Sequence, residues 1–209
     1  MFAAVLVGVG FAAARQALSD DRDRSESTEA SERIVMFGDS LTAQGDWSGL
    51  FPEREIVGAG FSGYTTEQLT RLAGDAVRAK PAAVFVLSGT NDVFQGRAPS
   101  WTVDRLNELV TAIETESPGT RVVLQTVPPS AEMSAEVIAT NVAIRRFGAA
   151  RGLDVLDLHP EFDDGSGGLR EDETYDGVHL TAAGYARWAA LLSPWFDRVD
   201  DARLLSTSQ

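Results

Sequence analysis

The chain contains no cysteine, which excludes disulfide bonds, thiol catalysis and thiolate metal sites. Its only histidines are His159 and His179, too few for a histidine-rich metal centre. Positive charge is scarce as well. Against 31 Asp+Glu stand 18 Lys+Arg, a net charge of −13 with no basic patch for a phosphate backbone, so nucleic acid is not an expected partner. The longest apolar run, Met1 to Ala14, has 14 residues and falls short of the about 20 that span a hydrocarbon core as a helix. Composition otherwise excludes a disordered, collagen-like or repeat chain: 44% of the residues are hydrophobic and 23% charged, and 209 residues suit one well-cored domain.

What is present at the N-terminus is organised by polarity. The 14-residue apolar run has the length of a signal-peptide core, and Ala12-Ala13-Ala14 offers a small-x-small cleavage pattern, although the basic residues that normally precede such a core are missing. Residues 19–32 (SDDRDRSESTEASE) carry too little apolar surface to order themselves and read as a tether. The expected organisation is an apolar signal-like or anchoring segment at 1–18, a charged linker at 19–32, a single folded domain at 33–198 and a tail at 199–209. The expected location is secreted or extracytoplasmic, with a membrane tether if the apolar segment stays attached. The competing reading is a cytoplasmic protein with a buried first helix.

From Arg33 the pattern becomes periodic. Arg33 to Leu41 (RIVMFGDSL) is a short apolar run, β-branched at its start, that closes on a glycine, a carboxylate and a hydroxyl: a buried strand ending in a turn. Glu55-Ile56-Val57 is a weaker strand leading into Gly58 to Tyr64, a glycine-rich loop that can bring backbone close to a ligand. Thr65 or Thr66 then caps a predicted helix towards Arg78. Ala82 to Leu87 is the clearest buried strand and breaks into Ser88-Gly89-Thr90-Asn91-Asp92. Helical spacing of Val103, Leu106, Leu109, Val110 and Ile113 predicts a helix stopped by Ser117-Pro118-Gly119, and Val122 to Val127 predicts a fourth strand. A second long helix carries Val137, Ile138, Asn141 and Ile144, and Leu153 to Leu158 predicts a fifth strand. The acidic stretch 160–174 reads as a solvated loop. Thr181 caps a last helix whose stripe of Tyr185, Trp188, Leu191, Leu192 and Trp195 reads as core.

Strands alternating with helices predict βαβ units, hence a parallel sheet covered on both faces. Ser40, Gly58 to Gly63, Asn91 and Asp176 to His179 all follow predicted strands and so gather on one sheet edge, where open α/β folds bind ligands. A serine hydroxyl needs a base, and the base an orienting partner. His159 and His179 are the candidate bases; Asp176 at three positions before His179 around a glycine places a carboxylate beside the latter. Charge developing on an ester oxygen needs donors, which the Ser40 and Gly60 N–H groups and the Asn91 amide can supply.

Gly38-Asp39-Ser40-Leu41, Gly60, Gly89-Thr90-Asn91-Asp92 and Asp176-Gly177-Val178-His179, in this order between about Ile34 and Phe196, resemble the blocks of the SGNH hydrolases, the GDSL family of esterases and lipases. The resemblance implies an α/β fold, a three-layer flavodoxin-like α/β/α sandwich on a five-stranded parallel sheet, with Ser40 as nucleophile, His179 as base, Asp176 as its partner, and Ser40, Gly60 and Asn91 as oxyanion donors. It implies no metal and no organic cofactor. Many relatives carry asparagine where this chain has Gly58. The stretches Gly-Phe-Ser-Gly-Tyr-Thr-Thr and His-Leu-Thr-Ala-Ala-Gly-Tyr resemble the lysophospholipase-like and platelet-activating-factor acetylhydrolase-like branch. That implies short or medium acyl groups on a small-molecule, lipid or carbohydrate alcohol. Phe61, Tyr64, Phe94 and Trp47 are candidates to line the acyl pocket, with core packing the competing reading for each. Alternatives of the same fold are an extracytoplasmic O-acyltransferase and a carbohydrate O-acetylesterase of cell-wall sugars; an idle glycan- or lipid-binding domain is the non-enzymatic one. A conventional α/β-hydrolase elbow would need glycine where Thr42 stands.

Overall fold

A computed structural model describes residues 32–207. The apolar segment 1–18 and nearly all of the charged stretch 19–32 therefore lie outside the described residues. Among the described residues no helix is long and apolar enough to cross a membrane.

The first strand, β1 (Ile34–Gly38), is buried along its whole length, as a strand covered on both faces must be. It is followed by two short helices, α1 (Ser40–Ala43) and α2 (Trp47–Leu50), and by β2 (Ile56–Gly60). Next come α3 (Thr66–Thr70), α4 (Ala73–Ala76), β3 (Ala83–Leu87), α5 (Thr90–Phe94), α6 (Pro99–Glu116) and β4 (Arg121–Gln125). The chain ends with α7 (Ser134–Arg151), β5 (Asp154–Leu156), α8 (His159–Phe162) and α9 (Ala182–Thr207).

The strands form one five-stranded parallel sheet in the order β2-β1-β3-β4-β5, with Ile34 opposite both Ile56 and Ala83. Alternation within each strand sends its residues to two cores. Val35, Phe37, Val84, Val86, Val122 and Leu124 pack against α3 to α7. Ile34, Met36, Phe85, Leu87 and Val123 pack against α1, α2, α8 and α9, where Trp188 meets Trp47 edge-on at 5.0 Å and Phe196 meets Phe85 at 5.0 Å. This is the expected three-layer sandwich. Strand order reverses between β1 and β3, so the crevice at their carboxyl ends is the place where this topology leaves room for a ligand.

Four local expectations are adjusted. The helix predicted from Thr65 to Arg78 is two pieces. Thr65 and Gln68 form a capping box at its start, but the Thr70 hydroxyl donates back to Thr66 O at 2.8 Å and lies 3.3 Å from Arg105 O on α6, a pattern that bends helices. β4 ends at Gln125: Thr126 N–H still reaches Leu156 O of β5 at 3.1 Å, but Val127 N–H and C=O are both taken by the Asn141 amide at 2.8 Å, so the strand cannot continue to Val127. β5 stops at Leu156, and His159 opens α8 instead of extending the strand. The tail expected from residue 199 is the continuation of α9, which runs to Thr207 with Val199 buried in the core. Thr181 caps this helix as expected, accepting from Gly184 N–H at 3.4 Å.

Candidate active site

The site begins where β1 ends. Asp39 caps α1, its Oδ1 accepting from Leu41 N–H at 3.0 Å, so Ser40 becomes the first residue of a one-turn helix held close above the sheet edge. So short a helix is not self-sustaining, and its terminal carbonyls need partners. They find them in the Tyr185 hydroxyl, which donates to Leu41 O at 2.7 Å, and the Trp47 indole, which donates to Thr42 O at 2.9 Å. Ser40 is 9% exposed.

The Ser40 hydroxyl lies 3.0 Å from His179 Nε2, and His179 Nδ1 lies 2.7 Å from Asp176 Oδ2. Three local bonds build this alignment. Asp176 Oδ1 accepts from the backbone N–H of Val178 at 3.0 Å and of His179 at 2.7 Å, and Gly177 between them adopts φ +83°, a conformation costly for other residues. The stem is closed by an antiparallel bridge between Thr174 and Leu180, with the Thr174 hydroxyl on His179 O at 2.7 Å. Burial works to raise the Asp176 carboxyl, but the bonds from the His179 backbone and ring and from Val178 outweigh it and hold the group below its ordinary value. An ionised carboxylate only accepts, so Nδ1 carries the proton and Nε2 presents its lone pair to Ser40. His159, the other candidate base, starts α8 and has its N–H on Thr126 Oγ1 at 3.1 Å; burial lowers its pKa, and it is His179 that bonds Ser40.

Gly60 is held against the end of α1, and Asn91 against the loop that follows Gly60. Gly60 abuts the end of α1 so tightly that an added Cβ would sit 2.1 Å from Ala43 N, which only glycine avoids. Gly58 lies against Trp47, where a Cβ would meet the indole at 3.0 Å. The loop after Gly60 is held without an asparagine at position 58: Phe61 N–H donates to Gly38 O at 2.8 Å, Tyr64 N–H to Phe61 O at 3.1 Å, and one Asn91 amide hydrogen to Tyr64 O at 3.0 Å. Two donors on that amide leave the second for a ligand. Asp92 ties the two loops together. Its buried carboxylate accepts from Thr66 N–H at 3.1 Å and from the Thr66 hydroxyl, which also meets Ser88 Oγ at 2.6 Å. Sequence reasoning assigned nothing to Asp92, whose one signal was adjacency to Asn91.

The family model described as GDSL-like Lipase/Acylhydrolase family matches residues 36–187, most of the chain and all of these blocks. The chain belongs to the GDSL-like lipase/acylhydrolase family. It is accordingly a carboxylic ester hydrolase. Solved structures share the fold of this GDSL-like protein. A GDSL-like lipase from Bacteroides thetaiotaomicron superposes with a TM-score of 0.77 at 21% identity, covering 90% of this chain and 98% of that one. A platelet-activating-factor-like protein from Streptococcus pneumonia gives 0.75 at 20% identity, covering 92% and 96%. A carbohydrate esterase family 3 protein from Talaromyces cellulolyticus gives 0.67 at 18% identity, covering 81% and 98%. No curated protein matches the chain.

Two aromatic residues expected in the acyl pocket of this GDSL-like hydrolase are elsewhere. Phe61 is fully buried, edge-on to Phe37 at 6.3 Å, because its backbone continues β2 into the sheet and sends the ring to the core. Trp47 is buried too, its indole committed to the end of α1. Tyr64 stacks on Phe61 at 5.4 Å and is half-buried, and Phe94 is exposed.

Asp39, expected only to shape a turn, is a fully buried acid. Burial pushes its carboxyl up to about 6, partly offset by the Thr90 hydroxyl, Leu41 N–H and His179, while Asp92 adds to the rise. Between the ordinary value of 3.8 and about 6 the unfolded chain loses this proton and the folded chain keeps it, so stability falls as pH rises through that window. A rise of this size corresponds to about 3 kcal/mol at neutral pH. Asp39→Asn keeps an acceptor for Leu41 N–H without the buried charge. It is expected to raise the melting temperature at pH 7 and to lose that advantage at pH 4; thermal unfolding at both pH values checks this, and a gain independent of pH would contradict it.

Proposed function

We propose that this GDSL-like hydrolase cleaves oxygen esters of short or medium acyl groups through an acyl-enzyme on Ser40. The observation that carries the reading is the unbroken line from Asp176 Oδ2 through His179 to Ser40 Oγ, at 2.7 and 3.0 Å. Ser40 Oγ attacks the ester carbonyl carbon as His179 Nε2 takes its proton. The carbonyl oxygen becomes an oxyanion facing the Ser40 and Gly60 N–H groups and the free Asn91 amide hydrogen, donors worth about 100- to 1000-fold each in rate. The intermediate collapses by breaking the bond to the alcohol oxygen, which receives the proton from His179. Water, deprotonated by His179, then attacks the acyl carbon and releases the acid and Ser40.

Acetylated sugars form the second substrate class, supported by the likeness to a carbohydrate esterase. With a sugar hydroxyl replacing water in the second half, the same steps become acyl transfer. The apolar run at 1–14 supports placing this chemistry outside the cytoplasm. The test is hydrolysis of p-nitrophenyl esters across acyl lengths, repeated with a competing sugar alcohol. Highest kcat/KM on two- to about eight-carbon acyl groups is expected; a preference for long chains sinks the acyl assignment, and transfer outrunning hydrolysis favours the transferase.

A further inference from the structure

Tyr175 is the most exposed large hydrophobic side chain among the described residues, at 61%. It is nevertheless held at both ends. Its ring lies parallel to the His179 imidazole, 5.8 Å between centroids and 11° between planes, and its hydroxyl donates to Gln44 Oε1 at 2.9 Å. Gln44 caps the end of α1, its N–H 3.1 Å from Ser40 O. The side chain thus forms a strap from the serine's own helix to a position parallel to the imidazole and offset from it. Core packing does not explain it, since Tyr175 belongs to neither apolar cluster.

The strap supplies what the Asp176 bond leaves open. A single hydrogen bond at Nδ1 fixes one edge of the imidazole but resists poorly a tilt of the ring about that edge, and such a tilt moves Nε2 most. A parallel ring offset along one side of the imidazole resists the tilt towards that side. The same π-face attracts the imidazolium that exists between the two proton transfers. We propose that Tyr175 is a positioning residue that aims His179 Nε2–H at the departing alcohol oxygen, with Gln44 as its anchor; this rests on the Ser40–His179 reading above. It is absent from the sequence reasoning because its signal is a contact between residues 131 positions apart.

Leaving-group dependence separates positioning from general structural support. A p-nitrophenolate departs without a proton, whereas an alkoxide does not, so loss of aim falls on alkyl esters. Tyr175→Leu is expected to lower kcat/KM for an ethyl ester about tenfold more than for the p-nitrophenyl ester of the same acid. Tyr175→Phe keeps the stack and is expected to restore most of the difference. Gln44→Ala, which removes the anchor but keeps the aromatic ring, is expected to show a smaller loss of the same selectivity. Equal losses on both esters, or none, would overturn the proposal. Should Ser40→Ala and His179→Ala both retain activity, the underlying mechanism is at fault instead.

Discussion

Ser40→Ala is expected to lower kcat on a p-nitrophenyl ester by about a millionfold, the scale seen when the serine of a serine-histidine-aspartate set is removed. The substitution deletes one oxygen, whose recorded bond is to His179 Nε2 at 3.0 Å. No core volume is lost, because Ser40 sits at the start of α1 with its backbone held by the Asp39 cap and by Gln44 N–H. The melting temperature is therefore expected to stay within a few degrees of the parent. Activity and stability respond separately, which identifies the defect as chemical. Residual activity of about a thousandfold over water can persist from the oxyanion donors and binding. A variant that hydrolyses the ester at a tenth of the parent rate, once contaminating esterase is excluded, would remove Ser40 from the mechanism.

Asp176→Asn is expected to cost about 10⁴-fold in kcat, as the equivalent change does where a carboxylate fixes the tautomer of a catalytic histidine. The geometry here makes the reason specific. Asp176 accepts at both oxygens: Oδ1 from the N–H groups of Val178 and His179, Oδ2 from the His179 ring. An amide has one acceptor oxygen, and its other terminus is an NH2 that only donates. With its oxygen on the backbone, its NH2 faces Nδ1 and drives the ring proton to Nε2, where it opposes the role of base. With its oxygen on the ring, the NH2 faces two N–H donors and the turn opens. In the first case His179 presents no lone pair to Ser40, and in the second its ring is no longer held in line with Ser40 Oγ. Because Asp176 is half-exposed, the change is expected to leave global stability nearly unaltered. Steady-state kinetics with a parallel melting curve would decide; a loss below tenfold would assign the orientation of His179 to other groups, Tyr175 first.

Legibility followed the range of the interactions involved. β1 and β3 were plain because a strand buried on both faces writes itself as a continuous apolar run, and Ile34–Gly38 and Ala83–Leu87 are such runs. The Asp176–His179 turn was plain because carboxylate, glycine and imidazole interact within three positions. Harder were the places where a remote group intervenes. The helix after Thr65 broke at a hydroxyl reaching Arg105 on another helix, and α9 continued past 198 because Val199 meets the core. Of the acyl-pocket candidates, Phe61 and Trp47 took the packing alternative. An aromatic ring beside a site motif points to substrate or core depending on backbone direction, and for Phe61 the ladder bond from its N–H to Gly38 O turned it inward. Asp39 read as a turn residue because its altered acidity comes from burial, a property of the assembled molecule.

The sequence alone determined the kind of fold and the kinds of reactive group. Apolar periodicity specifies alternating strands and helices, right-handed crossovers restrict how they close, and turn chemistry places Ser40, Gly60, Asn91 and the Asp176–His179 pair at or beyond strand ends. What tertiary structure decided was distance and surroundings. Ser40 and His179 are 139 positions apart, and their 3.0 Å separation exists because two apolar layers compress opposite faces of one sheet and seat α9 and its preceding turn beside α1. The same packing sealed Phe61 and Trp47, raised Asp39, and laid Tyr175 against the imidazole. Hydrogen bonds and desolvation act only over a few ångströms, so they depend on which chain segments the core brings together.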